Sequence, residues 1–170
     1  MKQLLVMRHA KSDWHSGAAT DHARPINQRG VDAATAMGRL LTSAGLVPDA
    51  ILASSAVRAR TTAELAAEAG GWDVGVDAVD ALYDASVDRV LARLALVPDA
   101  VDRLLVVGHQ PTWGALVWRL TGGSVAMRTA TVAALDLHLG DTWDPADVGG
   151  PGELTGEILA VFQPRHFGDT

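Results

Sequence analysis

Arg8, His9, Arg58 and His109 draw attention first, because each follows a short apolar run: "LLVM" before Arg8-His9, "ILA" before "SSAVRART", and "LLVV" before "GHQP". An arginine guanidinium is a planar fork of N–H donors that matches phosphate oxygens two at a time, and a helix start offers free backbone N–H groups for the rest. A histidine that stays neutral keeps a lone pair on one ring nitrogen and can act as a nucleophile. Two histidines and two arginines at such turns point to phosphoryl transfer. Arg8 beside His9, with Arg58 across the site, would disfavour a further positive charge and hold His9 neutral near neutral pH. A single histidine after a strand would mean little; three such turns at one edge carry the signal together.

The elements that must position these residues follow from apolar periodicity. Residues 4–7 form a buried-strand signal, and from Gly30 onward Val31, Ala34, Met37, Gly38 and Leu41 recur at helical spacing until Gly45 and Pro48. Ile51 and Leu52 begin a second unit, followed by an Ala-rich helix over 57–69 closed by Gly70-Gly71, with a weaker strand expected around 72–76. Ser86 can cap a third helix carrying Val87, Val90, Leu91 and Leu94 on one face. A strong strand over 104–107 precedes Pro111 and a helix bearing Trp113, Leu116, Val117 and Leu120, with Trp118 also expected in packing. Strands near 131–139 and 156–162 should form a long-looped hairpin around a Gly, Pro and Asp-rich connection over 140–153, whose role the sequence leaves open. The expectation is an α/β fold, a three-layer α/β/α sandwich with a mainly parallel central sheet and a late antiparallel strand, as one domain over 1–170. In such sheets ligands bind outside the carboxyl ends of the strands, where the four residues stand.

Composition narrows the alternatives. The chain has 170 residues, 48% hydrophobic and 20% charged, with a net charge of -6 and no cysteine. The acidic balance gives no general field to gather nucleic acid or anionic membrane, so any anion site must be local. Lack of cysteine excludes disulfides, thiolate chemistry and cysteine-ligated zinc. No metal is expected: there is no HExxH or His-x-His pair, and adjacent arginines oppose a dication. No G-x-S-x-G is present for a serine nucleophile. The apolar run before Arg8 is too short for a signal-peptide core, so the expected location is cytoplasmic.

The motifs resemble the histidine phosphatase superfamily, the phosphoglycerate mutase-like group. Arg8-His9-Ala10 stands where that family has its first signature, "RPINQRG" at 24–30 resembles its next helix start, "SSAVRARTT" its second arginine motif and "VVGHQP" its second histidine motif. The short chain, Lys11, Asp21, Arg24-Pro25 and the closing "AVFQPRHF" are most similar to the SixA type of phosphohistidine phosphatase. The resemblance implies that His9 is the nucleophile that becomes a phosphohistidine, while Arg8, Arg58 and His109 hold the phosphoryl oxygens. It makes Lys11, Ser12 and His15 candidates for secondary substrate contacts, and Arg24 and Arg60 structural, with an Asp21–Arg24 pair bracing the loop. For the general acid it offers Asp84, ahead of Asp80 or no acid at all. It implies no cofactor, and a phosphorylated protein or a small phosphorylated metabolite as substrate. The oligomeric state is open, and the alternatives are a phosphoglycerate-mutase-like phosphotransferase or a phosphate-binding module without turnover.

Overall fold

In a computed structural model, which describes residues 1–144 and 155–164, six strands form one sheet in the order β3-β2-β4-β1-β5-β6. The strands are β1 (Lys2–Arg8), β2 (Ala50–Ser54), β3 (Val76–Val79), β4 (Arg103–Gly108), β5 (Val132–Leu137) and β6 (Gly156–Phe162). β1 pairs parallel with β4, β4 with β2, and β2 with β3, whereas β5 runs antiparallel to both β1 and β6. This is the expected mainly parallel sheet with a late antiparallel strand, and the last two strands form the expected hairpin. Much of its connection, 145–154, lies outside the described residues, as do residues 165–167 at the end of the closing "AVFQPRHF".

Alternate residues of β1 serve opposite faces, as the pleat requires. Leu4 and Val6 meet β4 residues Leu104 and Val106 beneath α3 (Val87–Leu94) and α4 (Thr112–Thr121). Leu5 and Met7 meet Leu105 and Val107 beneath α1 (Gln28–Ser43) and α2 (Val57–Gly70). With both faces covered, β1 and β4 read as continuous apolar runs, and each fully buried Leu or Val stabilises the sheet by about 1.5–3 kcal/mol.

Two local expectations are corrected. The third strand starts at Val76, where the expectation ended: the Trp72 amide donates to the Ala67 carbonyl and its indole to Thr42 Oγ1, so Trp72 closes helices instead of entering the sheet. Trp118 is 62% exposed, because the buried stripe of α4 runs through Trp113, Leu116, Val117 and Leu120, and a residue five after Trp113 points away from it.

No helix among the described residues is long and apolar enough to cross a membrane.

Candidate active site

The register places the carboxyl ends of β1 and β4 side by side, Arg8 opposite Gly108, with the end of β2 beyond β4. The turns leaving these three strands, together with the loop over 10–27, enclose a cavity of about 440 Å³. Arg8, His9, Arg58 and His109 all line it, as do Lys11, Ser12 and Asp84. His15 does not; it is exposed, and its amide is tied to Asp13 Oδ1. Asp80 is exposed at the start of a 3-10 turn (Asp80–Leu82) and is not part of the lining, so geometry separates it from Asp84, which sits on the rim at φ 51°.

His9 is buried and closely braced. Its amide donates to Gly108 O at 2.9 Å, and its carbonyl accepts from Ala130 N at 3.2 Å. Its Nδ1 lies 2.7 Å from the Ala10 carbonyl. A carbonyl only accepts, so Nδ1 carries the hydrogen and Nε2 keeps its lone pair. The ring is pushed down to about 3, chiefly by burial; the Ala10 bond opposes this, and the nearby His109, Arg58 and Arg8 add to it. The neutrality expected from the arginines thus comes first from desolvation.

His109, 5.3 Å from His9 between ring centres, is likewise pushed down to about 4, first by burial and then by Arg58. Arg8 donates from Nη1 to Met127 O at 3.1 Å, and burial lowers its affinity for its own proton. The Nε groups of Arg8, Arg24 and Arg58 are buried without a partner among the described residues. Unpaired buried donors are costly, and on three arginines lining one cavity they are donors an anion could satisfy.

Several residues that complete the site were read from sequence only as braces, or not at all. The Asp21 carboxylate accepts from Arg24 at 2.9 Å, Arg58 at 3.0 Å and the Tyr83 hydroxyl at 2.9 Å. These donors hold it ionised well below the usual carboxylate range, the Arg24 bond first, and the same carboxylate raises the Tyr83 phenol. Arg24 also donates to Ser12 Oγ and lies under the exposed Trp14 ring at 3.7 Å, so it braces the loop through Asp21 and Ser12 while also lining the cavity. Arg60, half exposed, faces Glu64 on its own helix at 3.5 Å. Thr62 joins two turns: its hydroxyl donates to Arg58 O at 2.6 Å and accepts from Ala10 N at 2.9 Å. Ser54, fully buried, reaches His109 Nε2 at 2.8 Å. The available signal was positional: Ser54 ends the strand that delivers Arg58, and Thr62 lies one helical turn beyond it.

Among the described residues, no group of three or more histidine, aspartate or glutamate side chains could hold a metal ion.

Comparison with known proteins gives the arrangement its relatives. The model of the histidine phosphatase superfamily (branch 1) matches residues 4–91. An uncharacterized protein of Mycobacterium leprae is 34% identical, covering 94% of this chain and all of its own length. One of Arabidopsis thaliana is 28% identical over 89% of this chain and 73% of its own. Among solved structures, one from Nakamurella multipartitia, assigned as a phosphohistidine phosphatase SixA, is 32% identical with a TM-score of 0.77, covering 96% of both chains. The protein histidine phosphatase SixA complexed with tungstate is 25% identical, with a TM-score of 0.81 over 98% of this chain and 99% of its own. The matched model, the near full-length relatives and the paired His9 and His109 between arginines agree: this chain belongs to branch 1 of the histidine phosphatase superfamily, with the SixA type among its structural neighbours.

Proposed function

We propose that the protein is a metal-independent phosphatase of the SixA type, in which His9 attacks phosphorus and becomes a transient phosphohistidine. The observation that carries this reading is the Nδ1–Ala10 contact, which leaves the lone pair of a neutral, buried ring on Nε2. In the first step Nε2 forms a bond to phosphorus as the bond to the leaving group breaks. Arg8, Arg58 and His109 hold the phosphoryl oxygens and offset the charge that develops on them. In the second step water takes the phosphoryl group, releasing inorganic phosphate and restoring His9.

The substrate class is phosphohistidine in a protein, ahead of small phosphorylated metabolites. An imidazole leaves with less help from an acid than an alkoxide does, and of the two carboxyl groups lining the cavity Asp21 is held ionised by its donors and Asp84 is exposed. The mouth, with Lys11 and Trp14 exposed, is open to a protein surface.

The test is rapid quench with a substrate labelled in the phosphoryl group. A labelled, acid-labile phosphoenzyme should accumulate in the native protein and vanish in His9→Ala. Label retained in His9→Ala, or turnover that stops on adding a chelator, would defeat the mechanism. Interconversion of phosphoglycerates faster than hydrolysis would favour a phosphotransferase, and phosphate binding without turnover a binding module. Comparing kcat/KM for phosphohistidine proteins and small phosphomonoesters settles the substrate class.

A further inference from the structure

His109 is held at both ring nitrogens, and the two partners differ in kind. Nδ1 faces the Arg58 guanidinium, whose Nη2 is 3.5 Å away. Nε2 meets Ser54 Oγ at 2.8 Å. A guanidinium has only donors, so the nitrogen facing it carries the lone pair, and a neutral ring then bears its hydrogen on Nε2. In that tautomer Ser54 accepts from His109, and Ser54 Oγ is also within 3.3 Å of the Ala56 amide.

A phosphoryl oxygen seated between Arg58 and His109 would meet the lone pair of Nδ1, and two acceptors repel. For His109 to grip that oxygen, the hydrogen must sit on Nδ1. The charged groups around the ring oppose adding a second proton: Arg58 on α2, Arg24 in the 10–27 loop and Arg8 at the end of β1, with Asp21 the one opposing carboxylate. His9, Tyr83 and Trp113 complete the ring's surroundings at 5.3, 5.8 and 6.5 Å. What remains is an exchange of tautomer, and only a neighbour of Nε2 that can both accept and donate permits it.

We propose that Ser54 is a positioning residue whose hydroxyl sets the proton of His109, accepting from Nε2–H in the free protein and turning to donate to Nε2 when a phosphoryl oxygen binds at Nδ1. Nδ1 first takes a proton from solvent on the cavity side and Nε2 then gives one up through the Ser54 hydroxyl, so the ring passes through a short-lived imidazolium and is neutral in both end states. A serine suits the task because its hydroxyl rotates about one bond, and full burial excludes a competing water at that position. The inference rests on the phosphatase reading for the arrival of a phosphoryl group.

Nitrogen-15 NMR of histidine-labelled protein tests it directly. In the free protein the His109 hydrogen should be on Nε2, and in saturating inorganic phosphate on Nδ1. Ser54→Ala should abolish the switch and lower kcat/KM about 10- to 100-fold, as loss of an outer partner of a functional histidine does. Ser54→Thr, which keeps the hydroxyl, should restore most of both, and thermal melting of each variant separates this effect from misfolding. A hydrogen on Nδ1 in the free protein, a doubly protonated ring in the complex, or native kcat/KM in Ser54→Ala would each overturn the proposal. If phosphate failed to bind at all, the phosphatase reading itself would fall; phosphate binding with an unchanged tautomer would sink only the role of Ser54.

Discussion

Both terminal nitrogens of Arg58 end on a single residue, Asp21: Nη1 donates to its carbonyl at 2.8 Å and Nη2 to its carboxylate at 3.0 Å. The 10–27 loop thereby fixes the plane of the guanidinium, and an arginine held in plane loses less side-chain entropy when a phosphoryl group arrives. The contact reaches 37 residues along the chain and ties the loop after β1 to the first turn of α2.

Replacing that carboxylate therefore tests the brace apart from the clamp it holds. Asp21→Asn keeps the shape and the backbone carbonyl but removes the negative charge shared by Arg24, Arg58 and Tyr83. Because the side chain is 51% exposed, solvent screens it, and the expected loss is about tenfold in kcat/KM. Arg58→Ala, which removes the clamp itself, should cost about 100- to 1,000-fold. Steady-state kinetics on one substrate ranks the two; equal losses would mean that Asp21 does more than orient.

The contrast between Arg58 and Asp21 also shows what the sequence revealed. Arg8, His9, Arg58 and His109 were legible because each follows a strand, and a parallel sheet aligns its carboxyl ends whatever the details of packing. Asp21 was legible only as a partner of Arg24, three residues away, because its other partners, Arg58 and Tyr83, are 37 and 62 residues distant. Nothing local marks such contacts. The start of β3 was misplaced for a related reason: Trp72 is an apolar residue in a strand-like stretch, yet a local hydrogen bond to Ala67 closes α2 over it and a distant one to Thr42 holds its indole between helices.

Stability should depend on pH through the two buried histidines. An unfolded histidine binds its proton near pH 6.5, whereas His9 in the fold does so only at about 3 and His109 at about 4. Above about pH 6.5 both states are neutral there and the histidines add no slope. Below it, the unfolded chain takes up protons that the folded chain refuses, so stability falls with falling pH. For His9 the slope approaches about 1.4 kcal/mol per pH unit. Asp21 adds a second loss only at lower pH: its folded carboxyl titrates below the usual range, so its contribution is present above about pH 4 and disappears beneath it. Denaturant midpoints at about pH 7.5, 6 and 5 should decline in the native protein and decline less in His9→Gln; parallel lines would show that His9 is not buried neutral.

Asp84 should matter in proportion to how badly the leaving group needs a proton. It lies on the rim of the cavity in a left-handed conformation, φ 51°, that asparagine also tolerates, so Asp84→Asn leaves the turn intact. With an alkyl phosphate, kcat should fall about 100-fold, within the usual reach of a positioned acid. With a phosphoramidate such as phosphohistidine it should change little. Equal losses on both classes would assign Asp84 to binding, and no loss on either would leave protonation to solvent.

Gly108 sets how closely α4 approaches the site. A methyl group there would run into the six-membered ring of Trp113, which is 1% exposed and donates its indole hydrogen to Val106 O at 3.2 Å. The indole cannot retreat without losing that bond, and the same ring backs His109 edge-on. Gly108→Ala should therefore destabilise the fold by about 1–3 kcal/mol through overpacking. For a chain of this size each kcal/mol lowers Tm by about 2–4 °C. Activity should fall further than stability alone explains, because Gly108 O accepts the amide of His9 at 2.9 Å and Gly108 itself precedes His109. Adding Trp113→Leu should relieve the clash and recover part of the lost Tm while leaving kcat/KM low, since His109 would then lack its aromatic backing. Recovery of both together would show that the tryptophan only fills space.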